Sequence, residues 1–252
     1  MIRESKASSG LIVNSFEQLS MSKFREDFPI PIFPISPFHS HFPASSSSLM
    51  SQDQTSISWL DTKPPKSVIY VSFGSIAAIK VNDFLEIAWG LANSNHPFLW
   101  VVRPGLIRDS EWIELLPSEF LETVDGRVHI VKWAPQQQVL AHPAVGAFWT
   151  HSGWNSTLES VCGVPMICMP CFGDQMVNAR YASHVWKVGV LLENGLKRTN
   201  IENAIRTLME EEEGKQIKER MLELKEKANS CLKPGGSYYE SLRSLTSYIS
   251  SF

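Results

Sequence analysis

A doubly wound parallel α/β sheet, preceded by a short N-terminal remnant and a linker, is the architecture this sequence predicts. Three observations carry the prediction. From Ser67 onward, short runs that are apolar throughout alternate with stretches of helical periodicity, the signature of parallel strands buried on both faces. The chemically distinctive residues fall at the carboxyl ends of those strands, where open parallel sheets bind ligands. A Pro- and Ser-rich stretch, "FPIPIFPISPFHSHFPASSSSLMSQDQT" from Phe28 to Thr55, separates this regular part from what comes before it.

Taken in order, "GLIVN" at Gly10–Asn14 is a short apolar strand and "SFEQLS" after it begins a helix. Residues 1–27 thus form the remnant, and 28–66 the linker. His39 and His41 lie within the linker with no third ligand nearby, which marks them as solvated. "SVIYVSF" (Ser67–Phe73) is a buried strand, "VNDFLEIAWGLANS" (Val81–Ser94) an amphipathic helix, and "PFLWVV" (Pro97–Val102) a second strand, which together make one βαβ unit. The alternation continues through the strand "VHIVKW", the helix "PQQQVLAHP", the strand "VGAFWT", the helix "WNSTLESVC", the strand "VPMICMP" and the helix "QMVNARYASHVWKV". A charged helical tail runs from Thr199, its acidic run Glu210–Glu213 reading as a solvated face. Pro234-Gly235-Gly236 then breaks the helix. The sheet domain accordingly spans 67–231, with a final helix over 232–252.

Composition excludes several classes of function. The 252 residues are 43% hydrophobic and 19% charged, ample for a folded core. Net charge is −3 with a pI near 6.2, and Lys and Arg do not cluster, which argues against nucleic acid as a partner. The cysteines at 162, 168, 171 and 231 form neither a zinc pattern nor a disulfide framework, and read as buried reduced thiols. With no signal peptide and no long apolar span, a cytoplasmic location is expected.

The stretch "WAPQQQVLAHPAVGAFWTHSGWNSTLES" concentrates the chemistry. Gly153 permits a sharp turn from strand into helix. The first residues of that helix, Trp154, Asn155 and Ser156, present amides with partial positive charge, suited to a phosphate, and His151 stands beside the turn. Ser156 and Glu159 also have the spacing of a capping box, which would close the helix start without any ligand. Glu159 can accept from both hydroxyls of a ribose, and Trp133 offers a face on which a base can stack. The pattern suits a nucleotide. No GxGxxG motif is present, which argues against NAD, and no GxSxG elbow is present, which argues against a hydrolase of the α/β type.

From Trp133 through "ESVCGVPMICMPCFGDQ" the sequence resembles the donor-binding signature of plant-type UDP-dependent glycosyltransferases that act on small molecules. The resemblance extends over nearly the whole chain. It implies the C-terminal, Rossmann-like domain of a GT-B glycosyltransferase, which inverts configuration as it moves a sugar, here glucose, from its UDP derivative to a small hydroxylated metabolite. By resemblance Trp133 stacks on uracil, the Ala134 backbone reads the base edge, and Gln136 and Glu159 hold the ribose. His151, Asn155, Ser156 and Ser75 hold the diphosphate beside the Gly153-Trp154 turn, and Asp174 and Gln175 hold hydroxyls of the sugar. The family needs no metal or other cofactor. Its members are about twice this long; their N-terminal half carries the acceptor pocket and a general-base His oriented by an Asp, and neither position has a match here. His96, His129, His142 and His184 have no evident carboxylate partner and read as structural or exposed. The segment between Glu159 and Gly163 is one residue shorter than the family pattern, so a shifted Asp174-Gln175 pair and a weakened helix end are expected.

Overall fold

The computed structural model describes residues 7–16, 21–36, 50–108, 110, 112–193 and 195–252, with the backbone alone at 22–24. His39 and His41 lie outside the described residues. The chain divides into two compact units, one of residues 1–43 and 223–252, the other of 44–222.

In the first unit, β1 (Leu11–Val13) pairs in parallel with β2 (Ile32–Pro34), in the register Leu11↔Ile32 to Val13↔Pro34. Helix α1 (Met21–Asp27) connects them. The linker expected over 28–66 is therefore not featureless. Its opening prolines suggested a break, yet Ile32, Phe33 and Pro34 are all buried, and burial of such a run favours pairing over solvation. Phe33 and Ile35 form a small apolar cluster with Tyr238 of the last helix (Ser237–Ile249), and the Tyr248 hydroxyl donates to the Ser9 carbonyl.

The second unit is the sheet domain. Its elements are α2 (Thr55–Leu60), β3 (Val68–Ser72), α3 (Val81–Asn93), β4 (Phe98–Val101), α4 (Ser118–Thr123), β5 (Val128–Val131), α5 (Gln136–Ala141), β6 (Val145–Thr150), α6 (Trp154–Ser160), β7 (Met166–Cys168), α7 (Gln175–Arg180), β8 (Gly189–Leu191) and α8 (Arg198–Met209). Two helices complete the chain, α9 (Glu212–Leu232) and α10 (Ser237–Ile249). The six strands are all parallel, in the order β5-β4-β3-β6-β7-β8, with the switch in direction between β3 and β6. Every residue of β3, β4 and β6 is buried. That is why they read as continuous apolar runs rather than alternating ones.

Alternation survives inside the domain as a choice between two cores. Ile69, Val71, Phe98, Trp100, Ala147 and Trp149 face one side, against Phe84, Ile87 and Leu91 of α3 and Ile201, Ile205 and Leu208 of α8. Val68, Tyr70, Leu99, Val101, Val145 and Phe148 face the other, against Leu60, Val139 and Leu140. Fully burying one such side chain stabilises the fold by about 1.5–3 kcal/mol. In β6 the two-residue period is interrupted, because Val68 pairs with Val145 but Ile69 pairs with Ala147. Gly146 is the extra residue of this bulge.

Several elements depart from the sequence reading. Helix α4 and strand β8 were not expected, the latter because three residues give too little pattern to read. The helix expected over Gln175–Val188 loosens after Arg180 into a π-helical turn at Tyr181–Val185. The charged tail is broken between α8 and α9. The acidic run spans that break and is solvated as expected, Glu210 to Glu213 all being exposed, with Glu210 meeting His96 at 3.0 Å, Glu211 meeting Arg206 at 3.3 Å and Glu212 meeting Lys215 at 2.8 Å. Among the described residues, no helix is long and apolar enough to cross a membrane.

A side chain at the bulge has no room, since a Cβ on Gly146 would lie 2.3 Å from the Lys66 carbonyl oxygen. Backbone cannot yield as a flexible side chain would, so Gly146→Ala is expected to lower stability by about 1–3 kcal/mol. Urea unfolding followed by tryptophan fluorescence checks this; an unchanged midpoint would mean the bulge relaxes freely.

Candidate functional site

The site is assembled where β3 and β6 end side by side. Ser72 pairs with Thr150, so the turn after β3 lies against the turn after β6. Gly74 takes φ +68°, and the His151 imidazole packs directly on it: a Cβ there would lie 2.6 Å from the ring. A Cβ on Gly153 would lie 2.5 Å from His151 Nε2. Between these two glycines, Ser152 is held at φ +62°, a left-handed conformation costing a non-glycine residue on the order of 1 kcal/mol. Its amide donates to Thr150 Oγ1 at 3.2 Å and its carbonyl accepts from Asn178 Nδ2 at 3.1 Å.

Burial pushes His151 below the ordinary histidine range; Asp174 pulls it up and Arg103 pushes it further down. The imidazole is accordingly neutral near pH 7. Its buried Nδ1 has no hydrogen-bond partner among the described residues. Arg103, immediately beyond β4, was not singled out from the sequence, although a charged residue ending the apolar run "FLWVVR" was the available signal. Its Nε donates to the Gly74 carbonyl at 3.0 Å.

Helix α6 opens at Gly153, with the first helical bond running from Thr157 N to Gly153 O at 2.9 Å. The capping-box alternative is not what forms. No side chain caps this helix, and Ser156 and Glu159 are engaged elsewhere. Gln136 Nε2 donates to Ser156 Oγ at 3.0 Å and to Glu159 Oε2 at 2.6 Å, while Gln137 Nε2 reaches Glu159 Oε1 at 3.3 Å. Tyr70, buried at the base of the site, donates from its hydroxyl to Gln136 Oε1 at 3.1 Å. Burial lifts the Glu159 carboxyl above its ordinary value, and the two glutamine amides pull it partly back. The Tyr70 hydroxyl is pushed up as well, again by burial.

These groups line one cleft of about 590 Å³. Ser75, Trp133, Ala134, Gln136, His151, Gly153, Trp154, Asn155, Ser156 and Glu159 all border it. Trp133 is half-buried, packed against the Val131–Val139 side of the core, and Ala134 is buried, so its backbone is what it has to offer. Tyr70, Ser72 and Gln137 border the cleft too and were missed in the sequence; Tyr70 and Ser72 are polar residues two apart at the end of a buried strand, which was the signal. Asp174 and Gln175 do not line it. Asp174 is exposed and accepts from Asn178 Nδ2 at 3.0 Å. Gln175 is buried, its Oε1 taken by the Cys171 and Phe172 amides at 2.9 and 3.1 Å. Asn178 therefore links Asp174 to the His151 turn.

The segment after Glu159, expected to be one residue short, has a sound helix end. Gly163, at φ +114°, donates to the Ser160 carbonyl at 3.0 Å, and Val164 does the same at 3.0 Å, so the expected loss of the cap does not occur. His184 is exposed as expected, but two of the other histidines have carboxylate partners that the sequence did not reveal. His96 meets Glu210, His142 meets Asp61 at 3.2 Å, and His129 meets Thr55 Oγ1 at 3.0 Å, which in turn bonds Asp53. Those partners were invisible because they lie far away in the chain. The thiols are not uniformly buried: Cys171 is exposed, while burial pushes Cys168 up to about 12. Among the described residues, no group of three or more His, Cys, Asp or Glu side chains could hold a metal ion.

A family model for UDP-glucoronosyl and UDP-glucosyl transferases matches residues 8–227. The chain belongs to that family. UDP-glycosyltransferase 76B1 of Arabidopsis thaliana is 56% identical over 256 residues, an overlap of 100% of this chain and 57% of the relative. UDP-glycosyltransferase 76G1 of Stevia rebaudiana is 57% identical over 255 residues, covering 100% of this chain and 55% of the relative. This member of the transferase family thus spans a little over half the length of the curated relatives it matches. Among solved structures, Phytolacca americana UGT2 complexed with UDP-2fluoro-glucose and pterostilbene superimposes with a TM-score of 0.87 at 32% identity, over 98% of this chain and 56% of that one. A UDP-glucose:anthocyanidin 3-O-glucosyltransferase in complex with UDP gives 0.86 at 31% identity, over 97% and 54%. The Rossmann-like, GT-B kind of fold expected from the sequence is borne out by these neighbours.

The lifted Glu159 carboxyl makes a testable demand on stability. The folded transferase domain holds that proton more tightly than the unfolded chain does. The contribution is full below the ordinary carboxyl range and is lost as pH rises through the lifted value. Glu159→Gln should therefore melt with wild type near pH 4 and above it near pH 7, the gap opening as pH rises. Thermal melts across that range decide it; a constant offset at all pH values would mean the carboxyl is not strained by burial.

Proposed function

We propose that this chain forms the donor-binding half of an inverting glycosyltransferase that moves glucose from UDP-glucose to a hydroxyl of a small metabolite. The observation that carries the reading is the single cleft that gathers an aromatic plate, an amide-braced carboxylate and a helix start beside a neutral imidazole. The bound UDP and UDP-2fluoro-glucose of the neighbouring structures support the same class of donor.

In this reading the Trp133 indole stacks on uracil, and the Ala134 backbone meets the base edge. Glu159, with Gln136 beside it, accepts from the ribose hydroxyls; the glutamine amides that now brace it keep the buried carboxylate charged and aimed. Ser75, His151, Asn155 and Ser156 donate to the diphosphate around the Gly153-Trp154 turn. Asp174 and Gln175 hold hydroxyls of the glucose, with the Gln175 oxygen already committed to backbone amides and its NH2 the group left to donate. Attack by an acceptor hydroxyl on the anomeric carbon breaks the bond to the diphosphate oxygen on the opposite face. Charge builds on that oxygen, and fixed N–H donors stabilise it without reorganising. The acceptor proton goes to a base. A cytoplasmic location belongs to the same reading.

A second reading, UDP-sugar binding by this chain without turnover, is favoured by one observation. His151 is the one histidine bordering the cleft among the described residues, and it faces the diphosphate turn rather than an acceptor.

Calorimetric titration with UDP-glucose tests the donor site. Saturable binding is expected for the wild-type chain, weakened about 10- to 100-fold in Trp133→Ala, as loss of one base–aromatic stack predicts. A folded wild-type chain that binds nothing overturns the proposal. Release of UDP on addition of hydroxylated acceptors separates the first reading from the second.

A further inference from the structure

We infer that Arg103 is a positioning residue for the diphosphate, holding the turn after β3 in its binding shape and standing behind it as a buried counter-charge. The inference rests on the donor-site reading above and adds to it a residue that does not itself border the cleft.

Arg103 is 8% exposed, and its guanidinium is spent on three carbonyls. Nε donates to Gly74 at 3.0 Å, Nη1 to Pro104 at 3.1 Å, and Nη2 to Ala77. Gly74 and Ala77 are the two ends of the turn that carries Ser75, so one planar fork closes the turn at both ends. A lysine ammonium could not span the same geometry. Gly74 is also the surface on which the His151 ring rests, so a loosened turn would release two of the diphosphate groups at once.

The charge matters separately from the fork. Among the described residues, the partners Arg103 makes are these carbonyls, with no carboxylate among them. A buried cation satisfied by dipoles alone remains electrostatically uncompensated, and an anion bound nearby supplies the missing charge. Its reach to the site is evident at His151, whose imidazolium form Arg103 disfavours. The guanidinium therefore biases the cleft toward an anionic diphosphate nucleotide over its uncharged nucleoside, without touching either.

The experiment compares UDP with uridine, each titrated by quenching of tryptophan fluorescence, on wild type, Arg103→Lys and Arg103→Met. In Arg103→Met, UDP affinity should fall at least about tenfold, the loss of charge-assisted hydrogen bonds, while uridine affinity stays within about twofold. Arg103→Lys keeps the charge but not the fork, so its UDP affinity should fall between the two. Equal losses for UDP and uridine would reduce Arg103 to general support of the fold and overturn the inference, as would a folded Arg103→Lys that binds UDP as wild type does. Should Arg103→Met not fold, the UDP-to-uridine ratio of Arg103→Lys decides alone. A wild-type chain that binds neither ligand would sink the donor-site reading instead.

Discussion

The contact on which the site depends is an imidazole pressed between two glycines. Parallel pairing of β3 with β6 brings their two end turns side by side, and the His151 ring fills the gap. No residue with a Cβ could occupy position 74 or 153 without moving that ring. The two turns that border the cleft are keyed to this contact. Ser75 follows from where Gly74 sits, and the first turn of α6 follows from where Gly153 sits. Each turn is tied from behind through a backbone carbonyl, Gly74 by Arg103 and Ser152 by Asn178.

Such a site is costly to hold. Ser152 is strained, Glu159 is a carboxylate lifted by burial, and Arg103 is a guanidinium answered only by carbonyls. The strained backbone and the removal of two charged groups from water each work against folding. The opposing contribution comes from strands with no exposed residue, whose large side chains, Trp100, Trp149, Tyr70, Phe98 and Phe148, are removed from water on both faces of the sheet. The central strands are thus both the source of stability and the frame that sets the turns. Tyr70 belongs to both roles, stacked on Phe148 at 5.0 Å and bonded to Gln136 at the cleft floor.

Much of this was legible in the sequence for a definite reason. Parallel strands covered on both sides are continuous apolar runs, and several cleft-lining residues follow such a run within a few positions, so Gly74, Trp133 and His151 could be placed from local pattern. What escaped depends on distance along the chain. The partner of His96 is 114 positions away and that of His142 is 81, and no local pattern connects them. Ser156 and Glu159 suited either a capping box or a ligand site, and only Gln136, arriving from the start of α5, separates the two. Arg103 and Tyr70 looked like the end and the middle of apolar strands; their polar ends acquire meaning only when β3, β4 and β6 lie together.

The strand order has a consequence in time. β3 sits between β4, which follows it closely, and β6, which leaves the ribosome roughly 80 residues later, or on the order of 4–16 seconds at usual rates of synthesis. Throughout that interval one edge of β3, a strand whose residues are all buried in the finished fold, is an open template for pairing with any other nascent chain. The cleft lies across that seam. A bound ligand would therefore favour the chain that has closed this edge, acting on the yield of folded protein as well as on what the folded protein does.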